Sequence, residues 1–162
     1  MSRQRELVSM DPSQVSSFLA SSRKVQLGTL NPDGSVHLVT MFYGLVDGQI
    51  AFWTYRTSQK ALNLARDPRI TCLVEDGSDY FELRGVQLRG TVRVVSEFDA
   101  VLAIGRLVAG GMTGAGPDGP DAAEAVDAYV ARAARKRLGY IVDPRRVVSW
   151  DHSKLLTASA SD

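Results

Sequence analysis

The stretch Lys24-Val25-Gln26-Leu27-Gly28-Thr29-Leu30-Asn31-Pro32-Asp33-Gly34-Ser35-Val36-His37-Leu38-Val39-Thr40-Met41-Phe42-Tyr43 decides the fold class. Lys24 to Leu30 reads as a strand. Asn31-Pro32-Asp33-Gly34 is a turn, because proline presets φ and glycine accepts a positive φ. Ser35 to Tyr43 is the returning strand, Asp47-Gly48 is a hairpin signal, and Gln49 to Tyr55 is a third strand. Strands joined by turns alone are antiparallel, since a parallel pair needs a long crossover. Residues 24–55 therefore read as an antiparallel meander.

Outward from it, Asp11 or Ser9 caps a helix over 11–20, with Pro12 in its first turn. A short helix is expected over 58–66, stopped by Asp67-Pro68, and a fourth strand over 69–75. Phe81 to Val95 is a long strand region whose Gly85 and Gly90 mark bulges, bends or close approach. Ser96 and Asp99 open a helix through Val108. The Gly/Pro-rich loop 110–120 is either a flexible connector or a lid. A helix follows over 122–135, then two strands, 137–142 and 146–150, around Asp143-Pro144; residues 157–162 read as a frayed tail. The result is a mainly β chain: one domain over 1–162, an antiparallel barrel with peripheral helices. The second strand is apolar on both faces, with Val36, Leu38, Thr40 and Phe42 on one and His37, Val39, Met41 and Tyr43 on the other. One face fills the barrel; the other needs cover, so a homodimer is expected.

Bulk properties narrow the function. The formal charge is +1 over 162 residues, so no field favours nucleic acid or a membrane surface. No signal peptide or long apolar span is read, and the cytoplasm is the expected location. Cys72, the single cysteine, lies in an apolar run and reads as a buried inert thiol. With two histidines, His37 and His152, no zinc triad is expected. A nucleophile elbow, a Walker loop and a distinctive carboxylate pair are all missing.

One segment carries a chemical signal: Thr54-Tyr55-Arg56-Thr57-Ser58-Gln59-Lys60-Ala61-Leu62-Asn63-Leu64. It follows an apolar strand and opens a helix, whose N-terminal N–H groups and partial positive charge attract phosphate. Arg56 and Lys60 add two charges, Thr57 and Ser58 two hydroxyls. An ordinary solvated helix start, with Ser58 as N-cap, fits the same residues.

The order of these elements, with Ser58-Gln59-Lys60-Ala61-Leu62-Asn63-Leu64-Ala65-Arg66-Asp67-Pro68-Arg69, resembles the pyridoxamine 5′-phosphate oxidase-like split-barrel family. Leu83-Arg84-Gly85-Val86 and Leu88-Arg89-Gly90-Thr91-Val92 resemble that family's long strand. The ending Ser149-Trp150-Asp151-His152-Ser153-Lys154-Leu155 is similar to the actinobacterial branch that uses the deazaflavin coenzyme F420. The resemblance implies a dimeric FMN-binding-type split barrel with cofactor sites at the subunit interface. It places the cofactor phosphate at Ser58 and Lys60, with a backbone N–H from Gln59. Thr40, Met41 and Thr54 would contact the ring; Arg56 and Asn63 belong to the same helix start; Gln87 and Trp150 would reach in from the second subunit. Met41, Trp53 and Tyr55 would shape an apolar slot, and Arg56, Arg66 and Arg69 a basic groove for the acidic tail of F420. The C-terminal Arg-x-His of the true oxidase is missing, so vitamin B6 oxidation is not implied. The leading expectation is an F420-dependent oxidoreductase acting on an unidentified small organic acceptor. FMN is the alternative cofactor, and a non-catalytic cofactor or haem carrier, with His37 or His152 as the iron ligand, is the alternative role.

Overall fold

The computed structural model describes residues 3–112 and 120–159. Seven strands form one antiparallel sheet: β1 (Lys24–Leu30), β2 (Val36–Phe42), β3 (Gly44–Val46), β4 (Gln49–Tyr55), β5 (Arg69–Asp76), β6 (Arg84–Val95) and β7 (Arg137–Asp151). Their order is β2-β1-β5-β6-β7-β4-β3. The two tight turns have the expected chemistry. Gly34 sits at φ 85°, and Asp47 and Gly48 both have positive φ, as a two-residue hairpin requires.

The two ends of the sheet, β2 and β3, are consecutive in the chain and separated by Tyr43 alone. The sheet therefore curls until its ends meet there. This corrects the meander. The chain bends at Tyr43, whose N–H donates to the Arg23 carbonyl at 3.1 Å and whose hydroxyl donates to the Leu19 carbonyl at 2.6 Å. Past the bend, β4 pairs with β7 and not with β2. β3 and β4 pair only over Gly44–Val46 and Gln49–Ala51, so the upper half of β4 and the length of β2 form no ladder with each other. That gap is the split in the barrel.

The helices are α1 (Arg3–Val8), α2 (Pro12–Ser21), α3 (Gln59–Arg66), α4 (Phe98–Met112), α5 (Pro120–Ala134) and α6 (Lys154–Ser159). Asp11 caps α2 through a reciprocal box with Gln14, which matches the reading over 11–20. α1 and α6 have too little apolar periodicity to be read from sequence. α4 continues past Val108 through Gly110 and Gly111 to Met112, so the Gly/Pro loop begins later than expected; 113–119, and 160–162 of the tail, lie outside the described residues. The two final strands are one: β7 runs unbroken through Asp143-Pro144 because a register shift between Arg89 and Gly90 absorbs the irregularity. Gly90 makes this possible, since a Cβ there would sit 2.0 Å from the Asp143 carbonyl oxygen.

Two clusters of buried side chains flank the sheet. Val25, Leu27, Phe52, Cys72, Val74, Val86 and Tyr140 fill the barrel, with Ala61 and Leu64 of α3 packed against them. Outside, Trp53 and Ile141 pack beneath α4 and α5 against Ile104, Val108 and Val130. β4 is thus buried on both faces. On the opposite wall, Val36 and Leu38 of β2 remain 62% and 67% exposed. Among the described residues no helix is long and apolar enough to cross a membrane.

Candidate functional site

The helix start singled out in the sequence lies where β4 ends. Ser58 is the N-cap of α3, its Oγ accepting from the Ala61 N–H at 3.4 Å. Its hydroxyl also lies 3.1 Å from Thr54 Oγ1, which accepts from Lys60 Nζ at 3.3 Å. Thr54, Ser58 and Lys60 therefore form one connected group. Ser58 is an ordinary cap, as the simpler reading had it, and is also tied to the lysine.

A second cation near this group, Arg137, was not expected. β4 pairs with β7 so that Tyr55 faces Arg137. The Arg137 guanidinium stacks between two rings, 4.3 Å from the centroid of Trp53 and 4.5 Å from that of Tyr55. Its Nε is buried and has no hydrogen-bond partner, a costly state for a charged donor. Neither Lys60 nor Arg137 has a carboxylate partner among the described residues. Burial, and then the Arg137 charge, lower the Lys60 ammonium below its ordinary pKa of 10.5. Hydrogen bonding from Arg137, and then its charge, lower the Tyr55 phenol. Lys60, two hydroxyls and a helix N-terminus meet here, and the Arg137 charge is near enough to act on Lys60. That donor set fits a phosphate, whose charge would relieve the repulsion between the two cations. Nothing local in the sequence marks Arg137, because its position depends on a strand pairing across some eighty residues.

The other candidates are placed as follows. Arg56 is exposed, with its backbone N–H bonded to the Lys136 carbonyl at 3.2 Å. Gln59 binds Asn63 Oδ1 at 2.9 Å. Asn63 is fully buried and donates to Thr29 Oγ1 and Asn31 Oδ1 at 3.1 and 2.9 Å. Its side chain ties α3 to the β1–β2 turn and has no free end for a ligand. The Met41 side chain packs against the barrel core and Trp53 is covered by α4, so of the three slot residues only Tyr55 is open. Thr40 and Gln87 share one row of the outer sheet face, through Gln26 and Leu73. Trp150 lies across Gly85 of β6, where a Cβ would come within 2.2 Å of its ring. His37 lines a cleft of about 400 Å³ with Asn31, Asp33 and Gln59, at the split and beside the start of α3.

The groove of Arg56, Arg66 and Arg69 does not form: Arg66 binds the Leu30 carbonyl, and Arg69 is held by Asp67 through a fork of contacts. The C-terminal signature is mostly internal fastening. Ser149 Oγ accepts from the Met10 N–H at 3.1 Å, Asp151 caps Ser153, His152 Nδ1 lies 2.9 Å from the Tyr80 carbonyl, and Lys154 reaches the Gln14 side chain at 2.8 Å.

A profile of the pyridoxamine 5′-phosphate oxidase family matches residues 12–152. The crystal structure of the conserved hypothetical protein Rv2991 from Mycobacterium tuberculosis superposes with a TM-score of 0.82 at 40% identity, covering 95% of this chain and 92% of that one. Two remoter structures share the fold. An F420 reductase has a TM-score of 0.57 at 20% identity, covering 81% of this chain and 93% of that one. A heme binding protein from Mycobacterium smegmatis has a TM-score of 0.58 at 19% identity, covering 88% and 58%. No curated protein matches the chain by sequence.

Proposed function

Because the chain belongs to the pyridoxamine 5′-phosphate oxidase family, we propose that it is an oxidoreductase built around a phosphate-bearing tricyclic cofactor, coenzyme F420. The observation that carries this reading is the uncompensated pair Lys60 and Arg137 at the start of α3, beside the split in the barrel. Lys60, Arg137 and the Ser58 and Thr54 hydroxyls hold the phosphate, with Arg56 alongside and the Gln59 backbone N–H within the same helix start.

When bound, the reduced cofactor supplies the hydride. The chain's own residues anchor the anionic end, flank the split with Tyr55 and His37, and exclude water. A second copy of the chain covers the bare face of β2 and completes the site, with Thr40, Gln87 and Trp150 as the contacts from that face. The acceptor is a small organic molecule.

The test is a fluorescence titration of the purified protein with F420 and with FMN. Saturable F420 binding is expected. It weakens about tenfold to a hundredfold in Lys60→Ala and in Arg137→Met, since a charge-assisted contact contributes about 1.5–3 kcal/mol. Binding of FMN and not of F420 replaces the cofactor. Tight binding without turnover of any acceptor, or haem binding in place of both, replaces the enzyme with a carrier. Affinity also has a signed pH dependence. Only the charged ammonium binds phosphate, and its lowered pKa makes the loss on raising pH begin below 10.5.

A further inference from the structure

The outer face of the sheet has two unlike ends. Its β1–β2 end is apolar, with Leu30, Val36 and Leu38. Its β6–β7 end is cationic, with Arg89, Arg145 and Arg146. The cationic end is a product of the bulge. Consecutive residues of a regular strand point to opposite faces, yet Arg145 and Arg146 line the same cleft. The register passes from Arg89 opposite Arg146 to Gly90 opposite Pro144, leaving Arg145 as the extra residue. A bulge re-aims a side chain in this way.

The charges at the two ends are unmatched within one chain. Arg89 and Arg146 stand directly opposite one another, and like charges so placed are destabilising. None of the three arginines has a carboxylate partner among the described residues, whereas the exposed Arg69, Arg84 and Arg106 are each matched to an aspartate. At the other end, on the β1–β2 turn, Asp33 is exposed and pairs with no lysine or arginine among the described residues. It accepts from the Ser35 hydroxyl at 2.6 Å and from the Ser35 N–H at 2.9 Å, and these bonds hold its carboxyl below the ordinary pKa of 3.8.

Between the ends, one row runs Gly28, Thr71 and Arg89. A Cβ at Gly28 would meet nothing nearer than Val36 Cγ1 at 3.5 Å, and its φ is not positive, so nothing in its own chain demands glycine there. A contact between two copies of one face is isologous and is built about a twofold axis. An axis along β5, the middle strand of that row, sets Gly28 against the partner's Arg89. The missing side chain then leaves room for the arginine. The partner's Arg145 and Arg146 come to lie over β2, with their aliphatic stems covering Val36 and Leu38 and their charged heads pointing past them to the turn that holds Asp33. An axis across the strands would lay β2 on β2 and keep the arginines and Asp33 apart.

We propose that the second copy is seated by this charge-complementary contact, β2 of each copy under β7 of the other, with Asp33 paired to the partner's Arg145 and Arg146. The proposal rests on the covering of β2 by a second copy, and it adds which strands meet and what sets their orientation. Asp33 also lines the cleft beside the start of α3 with His37 and Gln59. The pairing therefore takes up a carboxylate whose charge opposes an anion at that helix start.

Sedimentation equilibrium of the intact protein at low and high salt tests it. The wild type should be a dimer whose dissociation constant rises with salt. Asp33→Asn and the double variant Arg145→Gln/Arg146→Gln should each weaken it about tenfold or more. The three substitutions together should weaken it no further than the double variant does, because they break one interaction. Asp33→Arg should weaken the dimer more than Asp33→Asn, and adding Arg145→Asp/Arg146→Asp to the same chain should restore it. Gly28→Val should weaken it with every charge in place. The melting temperature of the arginine double variant at the lowest protein concentration should not fall, since it relieves a repulsion within the single chain. A wild type that is monomeric throughout overturns both this contact and the covering of β2. A dimer that these variants leave intact, or in which the charge losses simply add, overturns this contact alone.

Discussion

β2 and β4 are both seven residues long and both apolar, yet they meet different environments. In β4, Phe52 points into the barrel and Trp53 points outward beneath α4 and α5, and both are buried. In β2, Val39 and Met41 face the barrel, but Val36 and Leu38 face outward with nothing of the chain over them. The helices cover one wall of the sheet and leave the other bare. An apolar face that a chain cannot cover itself marks a place for something else. The covered wall is where stability is made, and the bare wall is where partners and ligands belong.

Truncation on the covered wall has the largest expected effect. The Trp53 ring lies so close over Gly105 that a Cβ there would come within 2.6 Å of it, and Arg137 stacks on the ring at 4.3 Å. Trp53→Ala should cost about 3–5 kcal/mol, measured by urea unfolding, and the loss should be the same at every protein concentration. It should also weaken the phosphate site by releasing Arg137. A cost under about 1 kcal/mol would mean that α4 and α5 do not cover this wall as described. On the bare wall, Leu38→Asp should leave the stability of the single subunit within about 0.5 kcal/mol while abolishing dimerisation in sedimentation. The wild-type melting temperature should rise with protein concentration and that of Leu38→Asp should not. If both proteins sediment as the same species, the bare face is not the dimer contact.

The sequence foretold the covered wall less well than the bare one, for a physical reason. Alternation in Val36 to Tyr43 reports two apolar faces directly, and the Asn31 to Gly34 turn fixes its pairing with β1. The helix start at Ser58 is equally local, so Thr54, Ser58 and Lys60 were legible as a group. Arg137 was not, because its place beside Tyr55 is set by the β4–β7 ladder, which no local pattern encodes. The bend at Tyr43 was hidden in the same way: the residue is an apolar aromatic in an apolar run, and the bend is held by its hydrogen bonds to the distant Arg23 and Leu19 carbonyls. At Asp143-Pro144 a local rule misled. Proline reads as a strand break, but Gly90 on the neighbouring strand β6 makes room for it as a bulge.

Tyr43 is the joint between the two walls, and it gives the smallest and most specific test. Its hydroxyl is buried, and desolvation pushes its pKa up from 10.0 to about 12. The unfolded chain would ionise this phenol near 10.0, so between that pH and about 12 the unfolded state loses a proton that the folded state keeps. Stability from this group is therefore fully present below 10.0 and is lost as pH rises towards about 12. Cys72, pushed by burial from 9.0 to about 12, adds a slope of the same sign that begins earlier. Tyr43→Phe separates the two. It removes one hydrogen bond and should cost about 1 kcal/mol at neutral pH, with the Cys72 slope intact. Above 10.0 the wild type should fall faster than the variant, so their unfolding free energies converge as pH rises. Parallel curves through that range would mean that the Tyr43 hydroxyl is open to water, and the joint between β2 and β3 would then have to be held by the Tyr43 backbone alone.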